Sequence, residues 1–404
     1  MSSSTSSSEQ TGSGRGAFAR VLFTVLIGMG LALGGVRLFA LTLGVGSESL
    51  LGRVMQAQRA LPQIAEEPND LVMVFGSSMV RAGFSPREFD GALAEQGIDV
   101  TSFNFGFGGL NPLFQDYLSR RVVDELKARD RRRKLVVIEF NPFQTTVTRR
   151  NGATALEESY IAMLASGGEL WEKTVDDPTS GIRMGLIRYL RDGISAEMIT
   201  TFMWAEPFQP PDDRQRPQMS DEDRERLGEI GEYLNEVFDK DYPDYDGSDW
   251  YYPWRGGGTI KTERSEKTLE MIYEYYELIS QDNRMEADRQ SRIRTADIEA
   301  LNFDDDLVEA FIRIVENFKE VSDQVEDVML PKNTDWIQNP PEALERQAAA
   351  VARISEATGL PVRDFQEVEG VSNSMFSDTT HLNRYEGAVA FTGFLVSEYA
   401  EVLR

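Results

Sequence analysis

The 404-residue chain is 41% hydrophobic and contains all three aromatic types, which excludes wholesale disorder and leaves core enough for one large or two ordinary domains. A formal net charge of −25 repels phosphate backbones and anionic lipid heads; it argues against nucleic-acid binding and against a globular part lying flat on a membrane. The absence of cysteine removes disulfides, thiol nucleophiles and thiolate metal sites. With one histidine, His381, a zinc site would be almost all carboxylate, so no cofactor is expected.

Residues 1–16 are rich in Ser, Thr and Gly and read as a disordered tail. Arg15 and Arg20 then lead into a charge-free, mainly apolar stretch, Val21 to Val36, and Leu38 to Val45 is apolar again after Arg37. Residues 17–45 therefore predict a transmembrane anchor, with Arg37 snorkelling toward one face. A cleaved signal peptide is the rival, but no small-x-small site follows, which favours an uncleaved anchor. Arg15 and Arg20 place the tail in the cytoplasm and the acidic domain outside, although Arg37, Arg53 and Arg59 lie on the other side. Residues 46–70 are read as a linker ending in Glu66-Glu67-Pro68-Asn69-Asp70.

From residue 71 the pattern alternates. Leu71 to Phe75 predicts a strand buried on both faces, Pro86 to Gln96 a helix, Ile98 to Phe105 a strand, Pro112 to Asp130 a helix and Leu135 to Phe140 a strand. The regularity stops over 146–304, a polar and aromatic-rich segment with helical runs such as Ser265 to Ser280, read as a helical insertion or cap. It resumes with a helix over Leu307 to Val321, a strand over Val325 to Leu330, a helix over Pro341 to Thr358, a short strand over Pro361 to Phe365 and a helix over Tyr385 to Leu403. Five strands with intervening helices predict a doubly wound, flavodoxin-like α/β domain of three α/β/α layers, formed by 71–145 and 305–404.

Ligands of such sheets bind beyond the carboxyl ends of the strands. Gly76-Ser77-Ser78, the cluster Gly106, Gly108 and Gly109, and Asn141 each follow a predicted strand, and Asp378-Thr379-Thr380-His381 lies in the loop after the last one. A serine hydroxyl needs a base to take its proton, and the base needs a carboxylate to hold its tautomer; Ser78, His381 and Asp378 supply these types. Donors for a developing oxyanion are the N–H of Gly109 or Gly106 and the Asn141 amide. Singly, each has a plainer reading: a turn, a glycine turn, a strand terminator before Pro142, a surface histidine. Their common location at strand ends makes the chemical reading.

Those residues resemble the four blocks of the SGNH (GDSL-type) hydrolase superfamily. Gly76-Ser77-Ser78-Met79 resembles the first block, and the resemblance implies Ser78 as nucleophile and oxyanion donor. Asn104 to Gly109 resembles the second, pointing to Gly109 in the oxyanion hole, and Val136 to Asn141 the third, pointing to Asn141. Asp378-Thr379-Thr380-His381 matches the last block in full. Ser77 stands where the family has aspartate, which leaves open which hydroxyl acts, and Pro142 replaces the usual Gly-x-Asn-Asp ending. The anchor and insertion are similar to membrane-bound envelope-modifying members of the lipoteichoic-acid D-alanylation type.

The expected function is a membrane-anchored extracytoplasmic serine esterase or O-acyltransferase acting on acyl esters of envelope glycans or lipids, with a membrane-embedded acyl-donor protein as a natural partner. The alternative is a non-catalytic scaffold or glycan-binding module of the same fold. Trp250, Tyr251, Tyr252 and Trp254 read as packing of the insertion or as a sugar-stacking platform. Asp304-Asp305-Asp306 reads as a helix N-terminus rather than a calcium site, and Arg81, Arg149 and Arg150 as aids to anionic substrates or as counter-charge.

Overall fold

The computed structural model describes residues 12–43, 54, 60–191, 219–241, 265–383 and 386–404. In chain order the elements are α1 (Gly12–Leu43), β1 (Asp70–Ser77), α2 (Ser78–Gly83), α3 (Pro86–Ala94), β2 (Val100–Phe107), α4 (Pro112–Ala128), β3 (Arg133–Glu139) and α5 (Val147–Leu164). Then follow α6 (Gly167–Asp176), α7 (Pro178–Arg191), α8 (Asp221–Asp241), α9 (Glu266–Ile279), α10 (Asp282–Ala296), α11 (Asp305–Lys319), β4 (Ser322–Met329), α12 (Pro341–Thr358), β5 (Val362–Asp364) and α13 (Gly387–Leu403).

The five strands form one all-parallel sheet in the order β2-β1-β3-β4-β5, the doubly wound arrangement expected from the alternation. Leu71 to Phe75 are all buried, as a continuous apolar run demands when helices cover both faces. Side chains alternate. Val72, Val74, Leu135 and Val137 share a core with Phe89 and Leu93 of α3 and Phe391 and Leu395 of α13. Phe75 instead points to the other face, where its ring meets Phe318 of α11 edge-on at 5.0 Å between centroids.

One local difference decides the site. β1 continues through Ser77, beyond the expected end at Phe75, and α2, which the sequence does not predict, begins at Ser78. The Ser77 hydroxyl accepts the Met79 N–H at 3.1 Å, so a cap residue turns the chain straight from strand into helix. Gly76 and Gly106 are required for close approach. A Cβ at Gly106 would lie 2.7 Å from the Ser77 carbonyl oxygen, and one at Gly76 2.6 Å from Glu139 Cβ.

The described residues form two compact units, 12–43 with 162–191, and 54, 60–161, 219–241, 265–383 and 386–404. The expected insertion 146–304 is thus divided between them. In the larger unit α8 and α9 pack through Ile230, Leu234, Val237, Ile272 and Tyr276. In the smaller, α7 contacts α1, whose Gly16–Gly35 stretch is long and apolar enough to cross a membrane by length and composition. The helix starts inside the expected tail, at Gly12. Residues 1–11 of that tail, most of the linker with Arg53 and Arg59, the aromatic patch Trp250, Tyr251, Tyr252 and Trp254, and Tyr385 lie outside the described residues.

Candidate active site

The loop after β5 is shaped by its own sequence. The Asp378 carboxylate accepts the backbone N–H groups of Thr380 at 2.8 Å and His381 at 2.9 Å, folding the tetrapeptide into an Asx-type turn. A Phe376–Leu382 bridge and the Ser377 N–H bond to the His381 carbonyl, 2.8 Å, close the loop beneath it. That turn sets the His381 ring against the same carboxylate, with Nδ1 2.7 Å from Asp378 Oδ2.

The far side of the ring meets the strand–helix joint: His381 Nε2 lies 2.7 Å from Ser78 Oγ, across 303 residues of sequence. One tautomer satisfies both contacts, with Nδ1–H donating to Asp378 and Nε2 accepting from the Ser78 hydroxyl. Ser78, His381 and Asp378 therefore form one hydrogen-bonded chain of the kind that activates a serine.

Ser77 is excluded from that chain by its own contacts. It is fully buried; its N–H donates to Glu139 Oε2 at 2.5 Å and its hydroxyl donates to Glu139 Oε1 at 3.0 Å. Of the two hydroxyls, that of Ser78 is the one that meets His381. Asn141 belongs to the same buried cluster. Its amide nitrogen donates to Ser77 Oγ and to Glu139 Oε1, each at 2.9 Å, and its Oδ1 accepts the Phe143 N–H at 2.9 Å. The expected oxyanion-hole amide is thus engaged at the base of the Ser77–Ser78 turn. Gly109 follows β2 with φ +75°, a conformation that favours glycine, and Arg149 donates to its carbonyl oxygen. Asn104 pins α2 from β2 by donating to the carbonyls of Val80, 3.0 Å, and Phe84, 2.7 Å, while accepting the Gly106 N–H.

Sequence reasoning missed three charged residues. Glu139 is fully buried beneath the Ser77–Ser78 turn; burial pushes its carboxyl up to about 7, against the opposing hydrogen bonds from Ser77 and Asn141 and the charge of His381. A lone carboxylate inside a strand otherwise buried on both faces was the available signal. Arg292 of α10 donates to Asp378 Oδ2 at 3.0 Å and to Asp288 Oδ2 at 2.7 Å. Asp288, itself buried, also accepts the Thr379 N–H, 3.3 Å, and hydroxyl, 2.6 Å, and so ties the loop to the helix. No local pattern announces this pair, because Arg292 stands 86 residues from Asp378. Burial alone would raise the Asp378 carboxyl; His381, Arg292 and the Thr380 N–H together hold it well below the usual carboxylate range. For Arg292, burial is outweighed by Asp378 and Asp288, which raise it above the ordinary guanidinium value.

The other cationic candidates are occupied. Arg149 also donates to Gln144 Oε1 at 2.6 Å, Arg150 pairs with Asp304 and Asp306, and Arg81 takes part in interactions of its own. Asp304 caps α11 by accepting the N–H groups of Asp306, 3.1 Å, and Leu307, 3.2 Å, which accounts for the acidic run. A cleft of about 450 Å³ opens beyond the ends of β4 and β5, lined among others by Lys332, Gln366, Asn373 and Phe376, the last on the loop that leads into Asp378. No family model matches the chain, and no curated protein matches it.

Proposed function

We propose that the protein is a membrane-anchored serine esterase or O-acyltransferase of the SGNH type, with α1 as anchor and the α/β domain outside the cytoplasm. The observation that carries this reading is the chain Asp378–His381–Ser78, closed by two contacts of 2.7 Å at the carboxyl end of a parallel sheet. The Ser78 hydroxyl attacks an ester carbonyl as His381 Nε2 takes its proton, and Asp378 stabilises the imidazolium. Charge developing on the carbonyl oxygen is met by the N–H groups of Ser78 and Gly109; Asn141 joins them only by releasing Ser77. Collapse expels the alcohol with the proton from His381. The acyl-enzyme is then attacked by water in an esterase, or by a sugar or polyol hydroxyl in a transferase, with His381 as base again.

Arg292 acts as a positioning residue. It fixes the carboxylate that fixes the ring, and Asp288 fixes Arg292. The anchor and the acidic domain favour acyl esters of envelope glycans or lipids, with a membrane-embedded acyl donor supplying the transferase form. A fluorophosphonate probe tests the assignment: wild type is labelled, and Ser78→Ala is not. Unlabelled wild type leaves the non-catalytic scaffold or glycan-binding module as the reading, and labelling that survives Ser78→Ala moves the reactive hydroxyl away from Ser78.

A further inference from the structure

The smaller unit carries a surface that its own packing does not explain. α6 buries none of its residues, and Trp171 and Val175, one helical turn apart, are 69% and 63% exposed. On α7 the corresponding pair, Ile182 and Leu186, is 59% and 46% exposed. Residues four apart share a helix face, so each helix presents an apolar stripe. The α8–α9 pair treats the same residue types differently, burying Ile230, Leu234, Ile272 and Tyr276 against each other.

Loose structure does not account for the exposure. Ser166 and Glu169 form a reciprocal capping box at the start of α6, and Asp177 Oδ1 accepts the Ser180 N–H at 3.1 Å at the start of α7. Gly181 lets α7 approach Thr174 so closely that a Cβ there would collide with the Thr174 backbone, and Arg188 donates to the Ala165 carbonyl.

Charge and place identify the occupant. α7 carries Arg183, Arg188 and Arg191 and no acidic residue, in a chain whose net charge is −25. It contacts α1, within one compact unit. A cationic helix with an apolar stripe, a tryptophan on its partner and a spanning helix alongside has the chemistry of a lipid headgroup boundary. Arg183 is exposed, and an arginine stem extends along apolar surface while its head seeks phosphate; Arg188 is turned to the Ala165 carbonyl. α6 carries Glu169, Glu172 and Asp176 against Lys173, so it offers the apolar contact and the cationic contact belongs to α7.

We infer that the α6–α7 hairpin is a second membrane contact, lying in the headgroup region of an anionic bilayer beside α1. The inference rests on the reading of α1 as a membrane anchor. It makes the hairpin the exception to an otherwise lipid-repelling protein.

The cysteine-free chain permits a direct test. Full-length Ile182→Cys, Leu186→Cys, Leu26→Cys on α1 and Leu344→Cys on α12 are each labelled with an environment-sensitive fluorophore. They are reconstituted in phosphatidylcholine vesicles with or without phosphatidylglycerol. The labels at 182 and 186 are expected to shift to the blue and to be quenched several-fold more than that at 344 by shallow lipid-borne nitroxides. Quenching should strengthen with phosphatidylglycerol, and the label at 26 should respond to deep nitroxides. Adding Arg183→Glu to the Leu186→Cys chain should remove the phosphatidylglycerol dependence. Labels at 182 and 186 in water, with 26 in lipid, overturn the hairpin contact and leave the anchor standing. A label at 26 in water overturns the anchor and this inference with it. Quenching at 182 and 186 that ignores lipid charge overturns the anionic preference.

Discussion

On the nucleophile side of the site, Ser77, Glu139 and Asn141 come from neighbouring strands and their ends, and they hold a turn with almost no exposed surface. On the base side, Asp378 and His381 sit on a partly exposed loop whose position depends on Asp288 and Arg292 of α10, outside the sheet. The first arrangement is locked by packing that the sheet requires anyway. The second rests on a loop anchored by buried Phe376 and Leu382, but its charged groups are aligned by a few hydrogen bonds to Asp288 and Arg292. Changes on the first side should therefore appear mainly as stability, and changes on the second mainly as chemistry.

The triad itself gives the largest expected effect. Ser78→Ala and His381→Ala should each lower kcat by about 10⁴–10⁶-fold with the far-ultraviolet circular dichroism unchanged, and the double variant should be no worse than either. Multiplying losses in the double variant would show that the two residues do not act as a unit.

Next is the buried carboxylate on the nucleophile side. The native state keeps a proton on Glu139 up to about 7, whereas an unfolded glutamate releases it near 4.5. A raised native value means that the contribution is fully present below the unfolded value and is lost as pH rises through 7. The wild type should lose about 3 kcal/mol from this group between pH 4.5 and 7. Glu139→Gln should remove that slope, as urea unfolding at pH 5 and pH 8 would measure. Equal slopes in the two proteins would remove Glu139 as the titrating group.

On the base side, Arg292→Ala should lower kcat/KM by about 10–100-fold, the worth of a hydrogen bond to a charged group. Arg292→Lys keeps a cation beside Asp378 and should restore part of the rate. Equal losses in Arg292→Lys and Arg292→Ala would show that the charge is not what Arg292 contributes. The smallest effect separates the adjacent hydroxyls. Ser77→Ala should cost about 1 kcal/mol through the lost cap, seen as a drop of a few degrees in Tm, with activity within about tenfold of wild type. Loss of activity on the scale of Ser78→Ala would reverse the assignment.

Much of this was legible before folding because it is local. The strands of the sheet follow from apolar runs bounded by glycine, proline and polar breaks, and the Asp378–His381 turn is written in four consecutive residues. Even α12 runs over the predicted Pro341 to Thr358, since a proline start and Gly359 at φ +70° mark both its ends. What remained open were choices between neighbours and partnerships across distance. Two adjacent serines look alike in one dimension; only the pleat and the cap send Ser77 inward to Glu139 and leave Ser78 facing His381. The division of the expected insertion between two units, and the appearance of Arg292 behind Asp378, depend on helices packing far from their sequence neighbours.

The sequence by itself determined the alternating α/β order, the apolar N-terminal helix and the residue types for a serine-based site, because periodicity and short-range hydrogen bonding are written locally. Tertiary structure alone decided which hydroxyl meets the imidazole, that Asn141 is engaged with Ser77, and which arginine steadies the aspartate. Those outcomes turn on burial and on distances of under 3.5 Å between residues that the chain keeps up to 303 positions apart.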